Sequence, residues 1–296
     1  MRSAAKRTEW RGENLPLRID ALAAVPAGDP LPVNARDAVD ALLEGLESGE
    51  IRSAERAPDG RWHAVPWVKR GILLGFRIGR LTEMSIPAEN DGSSRLTFFD
   101  KNTYPLRQLE LSDGVRVVPG GSAIRRGAYV GEGVVCMPPM YVNVGAFVGR
   151  GTMIDSHALV GSCAQVGERV HLSAGAQIGG VLEPVNATPV IIEDDVIVGG
   201  NCGVYEGTVV RRKAVLGAGV ILTRGTPVYD LIWEQVYRAT ADAPLEIPED
   251  AVVVPGARAI KGEWAQNEGL SLQTPVIVKY RDEKTDLGTA LEAWLR

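Results

Sequence analysis

The sequence predicts a mainly β protein: a parallel β-helix, preceded by a helical or mixed N-terminal domain and followed by a small C-terminal β cap. The main observation is a repeat of six residues. An aliphatic or small apolar residue stands at every sixth position from 118 to 178 and, in a shifted register, from 192 to 228. A small residue usually stands two positions before it, and glycine often stands one position after it. A helix would need apolar spacings of three and four and an ordinary strand a spacing of two, so neither element explains the pattern.

A period of six predicts a triangular coil in which each hexad forms one flat side and a corner. The aliphatic residue points inward, the small residue fits the narrow interior near the corner, and glycine tolerates unusual corner dihedral angles. Three hexads, about 18 residues, complete one coil, and successive coils stack by backbone hydrogen bonds at about 4.8 Å. The pattern resembles the hexapeptide repeats of known proteins, in which this β-helix is left-handed.

The extent of the repeat divides the chain into three predicted parts. Residues 1–112 lack the period and show helical spacing at 37–49 and an apolar, helix-like segment at 62–79, which predicts an α or α/β domain. Residues 113–228 form the predicted β-helix. Its register shift falls on 179–189, which contains two prolines and is predicted to leave the coil as a loop.

The last part, residues 229–296, is predicted to be a C-terminal helix and a β cap. Residues 229–242 indicate a short helix, and residues 246–262 and 272–282 are typical of strands. A cap is expected because the last coil of a solenoid would otherwise expose its unpaired backbone groups.

The bulk composition indicates the cellular compartment and argues against some classes of partner. The formal net charge of −5 argues against binding driven by nucleic-acid phosphates. The N-terminus lacks the apolar segment of a secretory signal, and no apolar run approaches the roughly 18–20 residues that span a membrane. The three cysteines lack CxxC spacing, so we expect neither a disulfide framework nor a zinc knuckle, and a reducing, cytoplasmic location.

Polar residues within the repeat are the first candidates for chemistry. Asp155 and Asn143 each follow an inward aliphatic residue, at neighbouring levels of the β-helix, and Glu206 is a second carboxylate. The alternative is structural: a solvated aspartate at a turn, which is common, and a glutamate on an exposed strand. Asp155 and Glu206 are expected on different faces, upwards of about 10 Å apart along the axis. They would therefore meet only across an interface between subunits.

Histidine and basic residues give weaker signals. His157 and His171 are expected on different faces and His63 lies outside the repeat, so three histidine ligands for zinc do not converge. The basic run at 211–213 is interpreted as a solvated corner rather than a phosphate clamp. The sequence has neither a P-loop nor a GxGxxG motif after a strand. We therefore expect no metal and no permanently bound cofactor.

Several segments closely resemble the tetrahydrodipicolinate N-succinyltransferases, acyl-CoA-dependent enzymes of bacterial lysine and diaminopimelate biosynthesis. The most specific segments are GSCAQ, HLS and GGVLEP, all within residues 161–184. A generic hexapeptide acetyltransferase would share the period of six but not these segments. Further similar segments are RVVPGG (116–121), IIEDDVIVGGNCGVYEG (191–207), WVKRGILLGFRI (67–78), FFDK (98–101) and VIVKYRDEKT (276–285).

The resemblance implies a trimer of left-handed β-helices, with each active site in a cleft between neighbouring subunits. It also implies that Arg116 and Asp155 contact the amino-dicarboxylate substrate, with Asn143 nearby and succinyl-CoA as co-substrate. The planar guanidinium of arginine suits a carboxylate. In this interpretation Asp155 holds or deprotonates the substrate amine, which explains a charge at a corner where the fold accepts glycine.

The sequence departs from the family pattern at one position. Some members have a glutamate, regarded as a catalytic acid, three residues before the Glu-Gly of the segment at 191–207. This chain has Gly203 there. Glu206, which matches the Glu-Gly, is the candidate substitute.

The CoA arm is expected in the groove between neighbouring β-helices, near the C-terminal coils. Gly179 and Gly180 are predicted to allow close approach of its pantetheine, and Arg224 or Lys261 to meet its phosphates. A thioester needs no cysteine nucleophile, and Cys163 is expected to be inert because it lies beside an inward-facing position.

Three other functions fit parts of the pattern. An N-acetyltransferase using acetyl-CoA on the same acceptor would share the scaffold, and a cation near the distal succinyl carboxylate would distinguish the two. A non-catalytic trimeric solenoid, such as an ice-binding prism, would favour a flat threonine ladder, whereas the corner residues here vary. A sugar-nucleotide acyltransferase would need His157 or His171 as its base.

Overall fold

The N-terminal part of the protein combines helices with short antiparallel strand pairs. The structure is a computed structural model that describes residues 14–84, 86–87 and 95–282. No helix within these ranges has the length and apolar character needed to cross a bilayer. The elements are α1 (Leu15–Ala23), α2 (Ala35–Glu47), β1 (Ala54–Arg56), β2 (Trp62–Ala64), α3 (Pro66–Ile78), β3 (Leu81–Glu83), β4 (Ile86–Pro87), β5 (Arg95–Leu96) and β6 (Phe99–Lys101).

The helical spacing predicted at 37–49 and 62–79 is confirmed in α2 and α3, although the second segment begins with β2. The strands pair β1 with β2, β3 with β6 and β4 with β5. The apolar faces of the helices form a core that also includes Val144 and Cys163 from corners of the repeat. The N-terminal part is therefore packed directly on the β-helix.

The repeat forms two-residue strands separated by tight corners. In chain order they are β7 (Arg116–Val117), β8 (Ala123–Ile124), β9 (Tyr129–Val130), β10 (Val135–Cys136), β11 (Tyr141–Val142), β12 (Phe147–Val148), β13 (Met153–Ile154), β14 (Leu159–Val160), β15 (Gln165–Val166), β16 (His171–Leu172), β17 (Gln177–Ile178), β18 (Ile191–Ile192), β19 (Ile197–Val198), β20 (Gly203–Val204), β21 (Val209–Val210), β22 (Val215–Leu216) and β23 (Ile221–Leu222).

These strands stack into the three sides of a prism. Face I contains β7, β10, β13, β16, β19 and β22; face II contains β8, β11, β14, β17, β20 and β23; face III contains β9, β12, β15, β18, β21 and β26 (Glu246–Ile247). Met153 pairs in parallel with Val135 on one side and His171 on the other, each 18 positions away. The predicted fold class, mainly β with a left-handed parallel β-helix, is confirmed.

The interior of the prism is apolar because every hexad contributes one inward side chain. Val142, Val148 and Ile154, one from each of three successive sides, have no exposed surface. Burial of such a side chain stabilises the fold by about 1.5–3 kcal/mol. Residues 179–190 leave the coil between β17 and β18, and Lys69 of α3 donates a hydrogen bond to the Ala187 carbonyl of this loop at 2.5 Å.

Glycine after the inward residue has a different role from the one predicted. Positive φ falls two residues later in the corner, for example at Gly145 and His157, and not at Gly161. A Cβ atom on Gly161 would instead lie 2.2 Å from the backbone nitrogen of Gly180 in the next coil. Glycine is required here because adjacent coils approach through their backbones, so the expectation of unusual dihedral angles at this position is wrong.

The C-terminal cap extends face I. Its elements are β24 (Val228–Asp230), β25 (Gln235–Tyr237), β26, β27 (Ala251–Ala259), α4 (Glu263–Asn267) and β28 (Ser271–Tyr280). β27 pairs with β22, the last face I strand of the repeat, and runs antiparallel to β28. The strands predicted at 246–262 and 272–282 are confirmed.

The helix predicted at 229–242 is wrong, because β24 and β25 form an antiparallel hairpin there. Asp230 Oδ1 accepts hydrogen bonds from the backbone N–H groups of Ile232 at 2.8 Å and Trp233 at 3.1 Å. Its Oδ2 accepts a bond from the Tyr280 hydroxyl at 2.7 Å. An aspartate that bonds the backbone two and three residues later stabilises a turn instead of a helix.

Candidate active site

Face I carries two of the predicted substrate-binding residues. Arg116 begins β7 and Asp155 directly follows β13, with β10 between the two strands. Two strand spacings correspond to about 10 Å. Arg116 is exposed and Asp155 is half-buried on the same face, so the arrangement suits a ligand several atoms long with a carboxylate at one end.

Asp155 is paired with a histidine of the next coil. Its carboxylate Oδ2 lies 2.9 Å from His171 Nε2, and the side chains are 23% and 12% exposed. A carboxylate and an imidazole in hydrogen-bond contact are a common arrangement for general acid–base catalysis. Face I therefore carries a half-buried acid–base pair.

The partnership of Asp155 with His171 was not predicted from the sequence. The separation of His171 from His157 served there only to argue against a zinc site. The signal that would have found the contact is the length of a coil: His171 is 18 positions after Met153 and pairs with it, so it borders the corner that contains Asp155. His157 itself lies on that corner, with φ of 63°.

Face II carries a cleft of about 610 Å³ at the point where the loop leaves the coil. Four predicted residues line it: Gly179, Gly180, Glu206 and Arg224. Further lining comes from the loop and from two later coils, namely Val181, Glu183, Pro184, Ala187, Tyr205 and Thr223. A cleft of this volume is within the range of small-molecule sites.

Glu206 and Arg224 are held at this cleft by hydrogen bonds. Glu206 Oε2 accepts the backbone N–H of Arg224 at 2.7 Å. Its φ of 54° is in the left-handed region, which residues with side chains rarely adopt. The Arg224 guanidinium donates to the carbonyls of Thr240 and Ala241. The Glu206 carboxylate is therefore fixed at the cleft. One guanidinium nitrogen of Arg224 already donates hydrogen bonds within the protein.

Gly179 and Gly180 line the cleft and are also required by the packing between coils. A Cβ atom on Gly179 would lie 2.7 Å from Cδ1 of the Tyr205 ring, and one on Gly180 would lie 2.6 Å from the Ser162 backbone nitrogen. The space beside each glycine is thus filled by the protein. Glycine is needed there for internal packing, before any ligand is considered.

Asn143 and Lys261 lie apart from these groups within one chain. Asn143 follows β11 on face II, and its amide oxygen accepts bonds from the Val144 N–H at 2.8 Å and the Tyr141 hydroxyl at 3.2 Å. Face I, with Asp155, is a different side of the prism. Lys261 is an exposed residue after β27 and does not line the cleft.

The remaining reactive side chains are buried or committed elsewhere. Burial raises the pKa of Cys163 to about 11 and that of Cys136 to about 12, so neither thiol is a nucleophile at neutral pH. In the part of the chain that the structure describes, no three His, Cys, Asp or Glu side chains gather as metal ligands. The solvated corner predicted at 211–213 is wrong for Arg211, which binds Glu193 at 2.9 Å and Glu246 at 2.8 Å.

Two family profiles match the chain. Residues 28–78 match the N-terminal domain of tetrahydrodipicolinate N-succinyltransferase, and residues 189–224 match the hexapeptide repeat of succinyl-transferase. The first match covers α2 and α3, and the second covers the last coils of the repeat, including Glu206 and Arg224. The second match therefore includes residues that line the face II cleft.

Relatives that match most of the chain carry the same family name. The 2,3,4,5-tetrahydropyridine-2,6-dicarboxylate N-succinyltransferase of Nitrobacter hamburgensis is 42% identical over 269 residues, covering 88% of this chain and 90% of the relative. Those of Bradyrhizobium diazoefficiens and Polynucleobacter asymbioticus are 43% and 42% identical over 265 and 270 residues, covering 88% and 90% of this chain and 90% and 91% of the relatives. The chain belongs to the tetrahydrodipicolinate N-succinyltransferase family of acyltransferases.

Proposed function

We propose that the chain transfers the succinyl group of succinyl-CoA to the amine of ring-opened tetrahydrodipicolinate, a step of lysine and diaminopimelate biosynthesis. The observation that carries the proposal is the division of the candidate residues into two half-sites. Face I presents a guanidinium and an acid–base pair, and face II presents a cleft lined by glycine backbone, a carboxylate and an arginine. The first suits an amino-dicarboxylate and the second suits an acyl-CoA.

The acid–base pair supplies the first step. The substrate amine is cationic in water and is not a nucleophile until it loses a proton. Asp155, hydrogen-bonded to His171, accepts that proton, and Arg116 binds a substrate carboxylate through parallel hydrogen bonds. Asn143 is the further candidate for a substrate contact.

The thioester of succinyl-CoA is already activated for the acyl transfer that follows. The free amine attacks the thioester carbonyl carbon, the C=O electron pair moves to the oxygen, and collapse of the tetrahedral intermediate expels the CoA thiolate. No protein nucleophile takes part, which agrees with the buried thiols. Glu206 is proposed as the carboxylate that receives or returns a proton on the CoA side. Arg224 is the proposed phosphate contact of CoA, with Lys261 as the alternative.

We infer that the two half-sites complete one another between subunits of a homotrimer. Asp155 follows a face I strand and Glu206 follows a face II strand two coils further on. Two sides of one convex prism face away from each other, so one chain does not enclose a substrate between them. Cyclic assembly puts face I of each subunit against face II of the next, three times. The proposed compartment is the cytoplasm, where three buried free cysteines remain reduced.

Release of CoA thiol tests the reaction itself. Purified protein is given tetrahydrodipicolinate with succinyl-CoA and, in parallel, with acetyl-CoA, and the thiol is measured with a chromogenic reagent. We expect release that requires the acceptor and is faster with succinyl-CoA. Release with acetyl-CoA alone would make the chain an N-acetyltransferase on the same scaffold. No release with either donor from a folded protein would contradict the proposed function.

A further inference from the structure

Tyr205 occupies a part of the face II cleft that the proposed chemistry has not yet used. It follows β20 and lines the cleft beside Glu206. It stands at the same point of its hexad as Asp155, one residue after the inward aliphatic residue. On face II, the equivalent residue of the preceding coil is Gly179, so the aromatic ring lies next to backbone that carries no side chain.

The position of the Tyr205 ring is determined by two glycines. A Cβ atom on Gly179 would lie 2.7 Å from the ring Cδ1 atom, and a Cβ atom on Gly203 would lie 2.4 Å from Cε2 and 2.9 Å from the hydroxyl oxygen. Any larger residue at either position would therefore displace the ring. One edge of the ring therefore lies against Gly179, and the other edge and the hydroxyl lie against Gly203.

The Tyr205 hydroxyl is available for a ligand. Within residues 14–84, 86–87 and 95–282, no protein group hydrogen-bonds to it, whereas Tyr104, Tyr141, Tyr237 and Tyr280 all use their hydroxyls within the protein. Glu206 next to it already accepts the Arg224 N–H. An O–H donor beside the cleft proposed for acyl-CoA would meet the need of a thioester carbonyl, whose oxygen becomes negative during attack.

We propose that Tyr205 is a further catalytic residue, whose hydroxyl donates a hydrogen bond to the thioester carbonyl oxygen of the acyl-CoA. This inference rests on the proposed function. As the amine nitrogen bonds to the carbonyl carbon, the oxygen gains the π electron pair and the hydrogen bond from Tyr205 strengthens. When the C=O bond re-forms and the thiolate leaves, the bond weakens again. Tyr205 keeps its proton throughout. The ammonium proton goes to Asp155 before the attack, and the second proton, lost by the nitrogen when the amide forms, goes to the departing thiolate.

Tyr205→Phe tests this role, because it removes the hydroxyl and keeps the ring over both glycines. With succinyl-CoA and tetrahydrodipicolinate we expect kcat to fall about 10²-fold, the effect of losing one oxyanion donor. KM for succinyl-CoA and the thermal unfolding midpoint should change little. A fall in kcat of less than tenfold would overturn the proposal, and so would a change confined to KM.

A second variant distinguishes the position of the Tyr205 ring from the presence of its hydroxyl. Gly203→Ala adds no functional group but pushes the ring from its place, so it should lower kcat in a chain that still has the hydroxyl. The double variant should be no slower than Tyr205→Phe alone, because both changes remove the same hydrogen bond; additive losses would contradict the proposal. An inactive wild-type protein would refute the proposed function, whereas an active wild type with an equally active Tyr205→Phe would refute only the role of Tyr205.

Discussion

Asp155→Asn is expected to lower kcat for succinyl transfer by about 10²–10⁴-fold, the range of a lost general base. The substitution keeps the size of the side chain and its ability to bond His171, so the corner should keep its shape. It removes the negative charge that draws the proton from the substrate amine. Steady-state thiol release with saturating succinyl-CoA measures the loss, and thermal unfolding shows whether the fold is retained.

Glu132→Gln is the matched control for this prediction. Glu132 is another carboxylate in a corner of the repeat, 73% exposed and only loosely paired with Arg150 at 3.9 Å. Exposed pairs of this kind contribute about 0–1 kcal/mol, so the variant should retain wild-type activity. Equal activities of the two variants would show that Asp155 does not act as the base.

Gly161→Ala is expected to reduce the free energy of unfolding by about 1–3 kcal/mol, the usual cost of forcing extra volume into a packed site. Its Cβ atom would lie 2.2 Å from the Gly180 nitrogen and 2.7 Å from the Gly179 carbonyl carbon. These are backbone atoms, so two coils would have to separate. Denaturant unfolding of wild type and variant measures the difference.

Gly225→Ala is the control for the effect of replacing glycine. A Cβ atom there would meet only Thr223 Oγ1, at 4.0 Å, and the backbone is outside the left-handed region. It should be neutral or slightly stabilising, since alanine restricts the unfolded chain more than glycine does. If both variants unfold at the same denaturant concentration, the coils are not held at the distance described here.

The β-helix was predictable because its geometry imposes the same demand on every hexad. Each side needs one inward aliphatic residue, so the signal is local and repeated, as Ile154 and Val160 illustrate. The hairpin after Val228 was not predictable in this way. Its turn depends on Asp230, whose second oxygen bonds a tyrosine 50 residues later. Without knowledge of that contact, the apolar residues between β24 and β25 are equally compatible with one turn of a helix.

The candidate site was predictable in part. Asp155 stands out from the repeat, the resemblance implied Arg116, and composition suggested the glycines, but the sequence did not indicate what each side chain contacts. His171 becomes a partner of Asp155 only when the coil length places it in the next layer. The contact of the Tyr205 ring with Gly179 depends on the distance between coils. Such contacts are set by stacking, which a residue pattern along one chain does not contain.

The claim that the two faces complete one site between subunits has a direct test. Asp155→Asn damages only face I, and Glu206→Lys damages only the face II cleft by reversing its charge and removing the bond to the Arg224 N–H. The two variants are co-expressed with different affinity tags, and trimers that carry both tags are isolated. Each variant alone should be inactive as a homotrimer.

In every mixed trimer, one of the three interfaces joins an undamaged face I to an undamaged face II. Shared sites therefore predict recovery of about one third of the wild-type rate of succinyl-dependent thiol release. A site contained within one chain would be damaged in every subunit. Mixed trimers no more active than the two homotrimers would contradict the shared site.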